Sequence, residues 1–177
     1  MSDARQFELR TAVAGDVAAL AAIYGDHVLH GTASFELEPP GEAEMARRFD
    51  DITSKGYPYF VAASDGKVIA FAYAGPFRAR PAYRYSVEDS IYVDARWHRC
   101  GVGRALLDRL ISVCTEQGCR QMIAVIGDGA NTSSIGLHER AGFVRAGLLA
   151  SSGFKFGRWV DTVLMQRALG DGDATPP

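Results

Sequence analysis

Tyr85-Ser86-Val87-Glu88-Asp89-Ser90-Ile91-Tyr92-Val93-Asp94-Ala95-Arg96-Trp97-His98-Arg99-Cys100-Gly101-Val102-Gly103-Arg104-Ala105-Leu106-Leu107 is the stretch on which the fold turns. Its first half carries β-branched and aromatic residues in alternation (Val87, Ile91, Tyr92, Val93) and reads as a strand. Beyond Gly101 and Gly103, the residues Val102, Leu106, Leu110, Val113 and Cys114 recur at the spacing of an amphipathic helix. A strand, a glycine-punctuated turn and a helix in that order make an anion site. The N–H groups of a first helical turn have no intrahelical partner and point into the turn.

Working outward, Phe7 to Val13 alternates as a first strand. Gly15-Asp16 opens a helix with Val17, Leu20, Ala21 and Tyr24 on its apolar face and Asp16 as its cap. His27 to Pro40 is irregular and closed by two prolines, and a loop of that length in a compact domain belongs to a binding site or lid. Gly41 to Lys55 reads as a second helix, acidic at Glu42 and Glu44 and basic later, as the helix dipole favours. Asp65-Gly66 between Tyr59–Ser64 and Lys67–Tyr73 signals a hairpin, hence antiparallel pairing. Met122 to Ile126 reads as a buried strand and Thr132 to Arg140 as a helix. Val144–Leu149 and Trp159–Gln166 read as closing strands around a turn at Ser151-Ser152-Gly153. The expectation is one domain over residues 1–169, with 170–177 a disordered polar tail.

Hydrophobic residues at 47% against 23% charged fit a globular chain with a sizeable core. The net charge of −2 supports neither a nucleic-acid partner nor a membrane surface. Cys100, Cys114 and Cys119 are too few for a disulfide framework and lack zinc-site spacing. No metal is therefore expected, and the thiols read as reduced packing residues of a cytoplasmic protein. Gly101-x-Gly103 is no dinucleotide fingerprint, because Leu106 stands at the third glycine position, and no Gly-Lys-Ser/Thr follows to make a P-loop.

The run His98 to Leu107 resembles the pyrophosphate turn of the GNAT superfamily of N-acetyltransferases, Gln/Arg-x-x-Gly-x-Gly/Ala, with His98 in the Gln/Arg position. Asn131-Thr132-Ser133-Ser134 and Leu137-His138-Glu139-Arg140-Ala141-Gly142-Phe143 resemble that superfamily's second coenzyme A signature. Within it the chain is similar to the phosphinothricin/methionine sulfoximine acetyltransferases from about Leu9 to Met165. The resemblance is carried by Gly31–Glu36, Gly75–Arg80, Tyr83–Val93 and Leu137–Glu139. It implies an α/β (α+β) GNAT fold, a twisted, mostly antiparallel sheet flanked by helices and splayed where acetyl-CoA enters between the Val93 and Val125 strands. It also implies acetyl transfer to the α-amine of a small amino-acid analogue, commonly by a homodimer.

On these grounds Glu88 is the candidate general base, since aminolysis of a thioester needs a neutral amine. His138 is the candidate proton relay, with Tyr92 as an alternative acid. Backbone groups near Ile91, Tyr92 and Val93 are expected to hold the thioester. His98, Arg99, Cys100, Gly101, Val102, Gly103 and Arg104 are expected to hold the pyrophosphate, together with Asn131, Ser133 and Ser134. Arg78, Arg80 and Arg84, with Tyr85, Phe35 and Glu36, form the expected acceptor side, because guanidinium suits carboxylate and tetrahedral anions bidentately. Lys155 and Trp159 lie where the resemblance implies a dimer-proximal wall. Other acceptors, a peptide N-terminus or a polyamine, stay open, as does a coenzyme A-binding module without turnover.

Overall fold

The computed structural model describes residues 6–177. Among these residues seven strands, β1 (Glu8–Thr11), β2 (Tyr59–Ser64), β3 (Lys67–Pro76), β4 (Ser86–Val93), β5 (Gln121–Gly127), β6 (Val144–Lys155) and β7 (Arg158–Ala168), form one sheet. Its order is β1-β2-β3-β4-β5-β7-β6. Every neighbouring pair is antiparallel except β4–β5, as the mostly antiparallel expectation requires. Among the described residues four α-helices accompany it: α1 (Val17–His30), α2 (Glu42–Thr53), α3 (Val102–Glu116) and α4 (Thr132–Arg140).

Tyr59 to Ala63 of β2 are all buried because helices cover both faces of this part of the sheet. Val17, Leu20, Ile23, Tyr24 and Val28 of α1 pack with Met45 and Phe49 of α2 on Val61, Phe71 and Tyr92. Leu106, Leu107 and Leu110 of α3 pack on the other face with Ala70, Ala72, Val87 and Met122. Alternation along β4 therefore sends Val87, Asp89 and Ile91 toward α3, and Glu88, Ser90 and Tyr92 toward α1.

Some expected elements moved. Helix α1 runs on to His30, because nothing before Gly31 breaks it. Asp16 stands at the N-cap position of α1 but makes no side-chain cap bond: its carboxylate accepts from the Val13 N–H (2.9 Å) and pairs with Arg10 (2.7 Å). Ser151 to Gly153 is no turn but an irregularity inside β6, with Ser151 at φ 50° and the pairing shifted between Leu149 and Gly153. The hairpin closes later, at Phe156-Gly157, where both φ angles are positive. The segment 170–177 is exposed apart from one residue, yet it is tethered. Gly172 is buried, and Arg120 donates to the Gly172 and Pro176 carbonyls and to the Thr175 hydroxyl.

Candidate active site

The parallel β4–β5 ladder runs only from Ser86↔Gln121 to Asp89↔Ala124, and beyond it the two strands part. Tyr85 O accepts from the N–H groups of Arg120 and Gln121, whereas Asp94 N–H donates to Ile69 O of β3. Odd-numbered residues of β4 thus turn their backbone polar groups toward β5, and even-numbered ones toward β3. Past Asp89, the N–H groups of Ile91 and Val93 face the gap. The Val93 carbonyl accepts from His27 Nε2 (2.9 Å) and from His98 Nε2 (3.2 Å), the two rings lying 6.4 Å apart. His98 is therefore drawn back to the strand it follows, and burial depresses the pKa of His27.

At the mouth of the gap, Arg99 (φ 61°) and Gly101 (φ 83°) take left-handed conformations, and Gly101 leads into α3 with no side-chain cap. The first-turn N–H groups of α3 are left for an anion. Across from them Asn131 caps α4, its Oδ1 accepting from Ser134 N–H (3.1 Å). Between the helix ends lies a groove of about 780 Å³, lined by Ser90 to Val93, His98 and Arg99, Gly101 to Arg104, Val125 to Asp128, and Asn131 to His138 in part, whereas the expected Cys100 is outside that lining, its Sγ turned to the His98 carbonyl (3.5 Å). Unpaired strand N–H groups leading into an uncapped helix end fit an extended amide chain carrying a pyrophosphate.

On the α1 face of β4, within the ladder and one residue before it ends, stands Glu88, half-buried and outside the groove lining itself. Its carboxyl pKa is raised by burial and then by the neighbouring Asp89 charge, while Arg78 opposes the rise. On the α3 face the carboxylate of Asp89 is buried against His138: Nε2 lies 3.0 Å from Asp89 Oδ2 and Nδ1 donates to Ser134 O (2.8 Å). Burial favours the neutral ring, but the Asp89 bond and charge and the Ser134 carbonyl outweigh it, so the His138 pKa is raised.

Residues 26–143 match the acetyltransferase (GNAT) family. The chain belongs to that family. It is 52% identical over 162 residues to a phosphinothricin N-acetyltransferase of Alcaligenes faecalis, a match covering 92% of this chain and 82% of the relative. It is 37% identical to an L-methionine sulfoximine/L-methionine sulfone acetyltransferase of Pseudomonas aeruginosa, covering 95% and 98%. Its fold superposes with a TM-score of 0.94 on the crystal structure of a GNAT superfamily phosphinothricin acetyltransferase from Sinorhizobium meliloti in complex with acetyl-CoA. That match is at 53% identity and covers 97% and 92%. The fold and the splay expected between the Val93 and Val125 strands are thus those of a GNAT acetyltransferase, with acetyl-CoA as cosubstrate.

Not every expected site residue of the acetyltransferase reaches the groove with its functional atoms. Tyr92 contributes backbone there, but its ring is 8% exposed among Tyr24 (4.9 Å between centroids) and Phe71 (5.0 Å), which removes it as an acid. His138 lines the groove with both nitrogens committed. Arg104 is tied to Asp108 (2.7 Å) and to Arg140 O (2.8 Å). Glu36 is held by Arg48 (2.6 Å) and by the Tyr24 hydroxyl (2.8 Å), so its carboxylate anchors the loop instead of facing an acceptor. Arg84 stacks on Tyr85 at 4.5 Å beside the C-terminal segment, at the opening end of β4 away from the gap. Lys155 is 3% exposed and bonded inside the chain, so it forms no outer wall, whereas Trp159 is 64% exposed. His27 and Asp89 were missed. His27 lies one turn beyond Tyr24 on the α1 stripe, where the expected loop hid it.

Proposed function

We propose that this acetyltransferase acetylates the α-amino group of a small amino-acid analogue of the phosphinothricin or methionine sulfoximine type, by direct attack within a ternary complex. The observation that carries the reading is Glu88, half-buried on the α1 face of β4, beside the gap faced by the Ile91 and Val93 N–H groups. The Glu88 carboxylate takes the proton of the incoming ammonium, leaving a neutral amine to attack the acetyl carbonyl. The C–N bond forms as the C–S bond breaks. The Ile91 and Val93 N–H groups bind the negative charge developing on the carbonyl oxygen, an effect of about 3 kcal/mol per donor. Arg78 and Arg80, both exposed at the end of β3 nearest Glu88, receive the anionic groups of the acceptor. As the adduct collapses, the second proton of the amine nitrogen passes to the departing thiolate and leaves it as coenzyme A thiol, while the Asp89–His138 pair, with both ring nitrogens bonded, ties α4 to β4 behind the site.

The same reading includes a homodimer. Val144, Leu148, Phe154, Phe156 and Trp159 are exposed on the β6–β7 hairpin, at the edge of the sheet, an apolar surface that a second copy would cover. Cys114 and Cys119, buried as free thiols, support a cytoplasmic setting, and acetylating a toxic analogue there would confer resistance to it.

Thiol release from acetyl-CoA across phosphinothricin, methionine sulfone, a dipeptide and spermidine tests the function. Turnover with the two amino-acid analogues is expected. Turnover confined to the dipeptide or spermidine overturns the acceptor class, and coenzyme A binding with no turnover overturns the enzyme reading.

A further inference from the structure

Lys155, the last residue of β6, is buried, and an ammonium in such a place needs compensation for its lost hydration. Among the described residues no carboxylate pairs with it directly, although the Glu36 charge favours the ammonium from a distance. Instead Nζ donates to Gly31 O (2.8 Å) and Ser34 O (2.7 Å), two carbonyls of the segment between α1 and α2. A charged donor makes roughly twice the bond a neutral one would, so the segment is firmly held.

Two glycines mark where it lands. A Cβ on Gly127 of β5 would stand 2.0 Å from Thr32 O, and one on Gly153 of β6 would meet the Phe35 ring at 3.0 Å. The far end of the segment is fixed separately. Ser34 Oγ and Glu36 both bond the Tyr24 hydroxyl at 2.8 Å, and Glu36 pairs with Arg48. The segment thus bridges the two halves of the split sheet on the α1 face, the face of Glu88. Thr32 and Ala33 line the groove there, and Val125 on the same face of β5 is left 40% exposed.

We infer that Lys155 is a positioning residue: it holds Gly31–Glu36 as a fixed wall on the acceptor side of the gap and so sets the affinity for the acceptor, not for acetyl-CoA. The acceptor half of this statement rests on the function proposed above; the clamp itself does not.

Lys155→Met keeps the length of the side chain and removes the donors. Hydrogen exchange of the peptide spanning 31–36 should accelerate about tenfold or more in the variant, with α3 and β5 unchanged. With phosphinothricin as acceptor, its KM should rise about tenfold while that of acetyl-CoA stays within about twofold, the signature of a displaced wall. Gly153→Ala, which pushes on Phe35 without touching Lys155, should raise the acceptor KM selectively as well, and it carries the test if Lys155→Met does not fold. Unchanged exchange over 31–36 overturns the clamp. A lower Tm with both KM values unaltered, or an equal rise in both, overturns the wall. A wild-type enzyme inactive on phosphinothricin and methionine sulfone defeats the proposed function instead, and hydrogen exchange then decides the clamp alone.

Discussion

Glu88 lies on a strand between Val87 and Asp89, which both point to the opposite face, so its local sequence says little about its setting. Burial raises its pKa and Arg78 restrains the rise, so the base is lost as pH falls through a value above the ordinary 4.5. Glu88→Gln should lower kcat about a hundredfold with acetyl-CoA binding intact, measured by steady-state kinetics and calorimetry. Arg78→Ala removes the restraint, and the acid limb of the kcat/KM profile should shift toward neutral pH. An unmoved limb would show that Glu88 is not the titrating base. At Gly127 the conflict is steric: Gly127→Ala drives a methyl into Thr32 O and should cost about 2 to 3 kcal/mol, read as a Tm lowered by roughly 5 °C or more.

At the scale of elements, α4 is joined to β4 by Asp89 and His138. His138 has a folded pKa raised above its unfolded value of about 6.5. The pair's stabilisation is therefore fully present below about pH 6.5 and is lost as pH rises through the folded value. The Tm difference between the wild type and Asp89→Asn should be largest on the acid side of that window and shrink above it. A constant difference would mean that His138 does not change charge there. The turn before α3 was legible as an anion site because Gly101 and the apolar stripe after it are local signals. Helix α3 buries Val102, Leu106, Leu110 and Cys114 as that stripe requires. What His98 does was not legible, because its partner Val93 O becomes available only where the β4–β5 ladder has ended.

Across the whole molecule, the sheet ends in a hairpin whose Phe154, Phe156 and Trp159 are exposed around a buried Lys155. If a second copy covers this surface, Trp159→Ser should shift sedimentation from dimer to monomer; a wild-type monomer at micromolar concentration would remove the dimer from the proposal. Strand β6 also shows why the Ser151-Ser152-Gly153 turn was misplaced. Small polar residues and a glycine suit a bulge as well as a turn, and only pairing with β7 distinguishes them. The 170–177 segment is held by hydrogen bonds from Arg120 to its backbone and to Thr175, a long-range contact with no compositional signature.

The sequence alone determined what depends on near neighbours: the strand–turn–helix unit around Gly101, the Asp65-Gly66 hairpin, the Thr132–Arg140 helix, and the pairing of the two coenzyme A signatures that mark the family. Tertiary structure decided which of the named side chains have atoms to spare. Glu36, Arg104 and Tyr92 are committed elsewhere, and Lys155 turns from an outer surface into the chain. The physical reason is that buried charges and backbone carbonyls must find partners, and those partners lie 12 to 121 residues away along the chain.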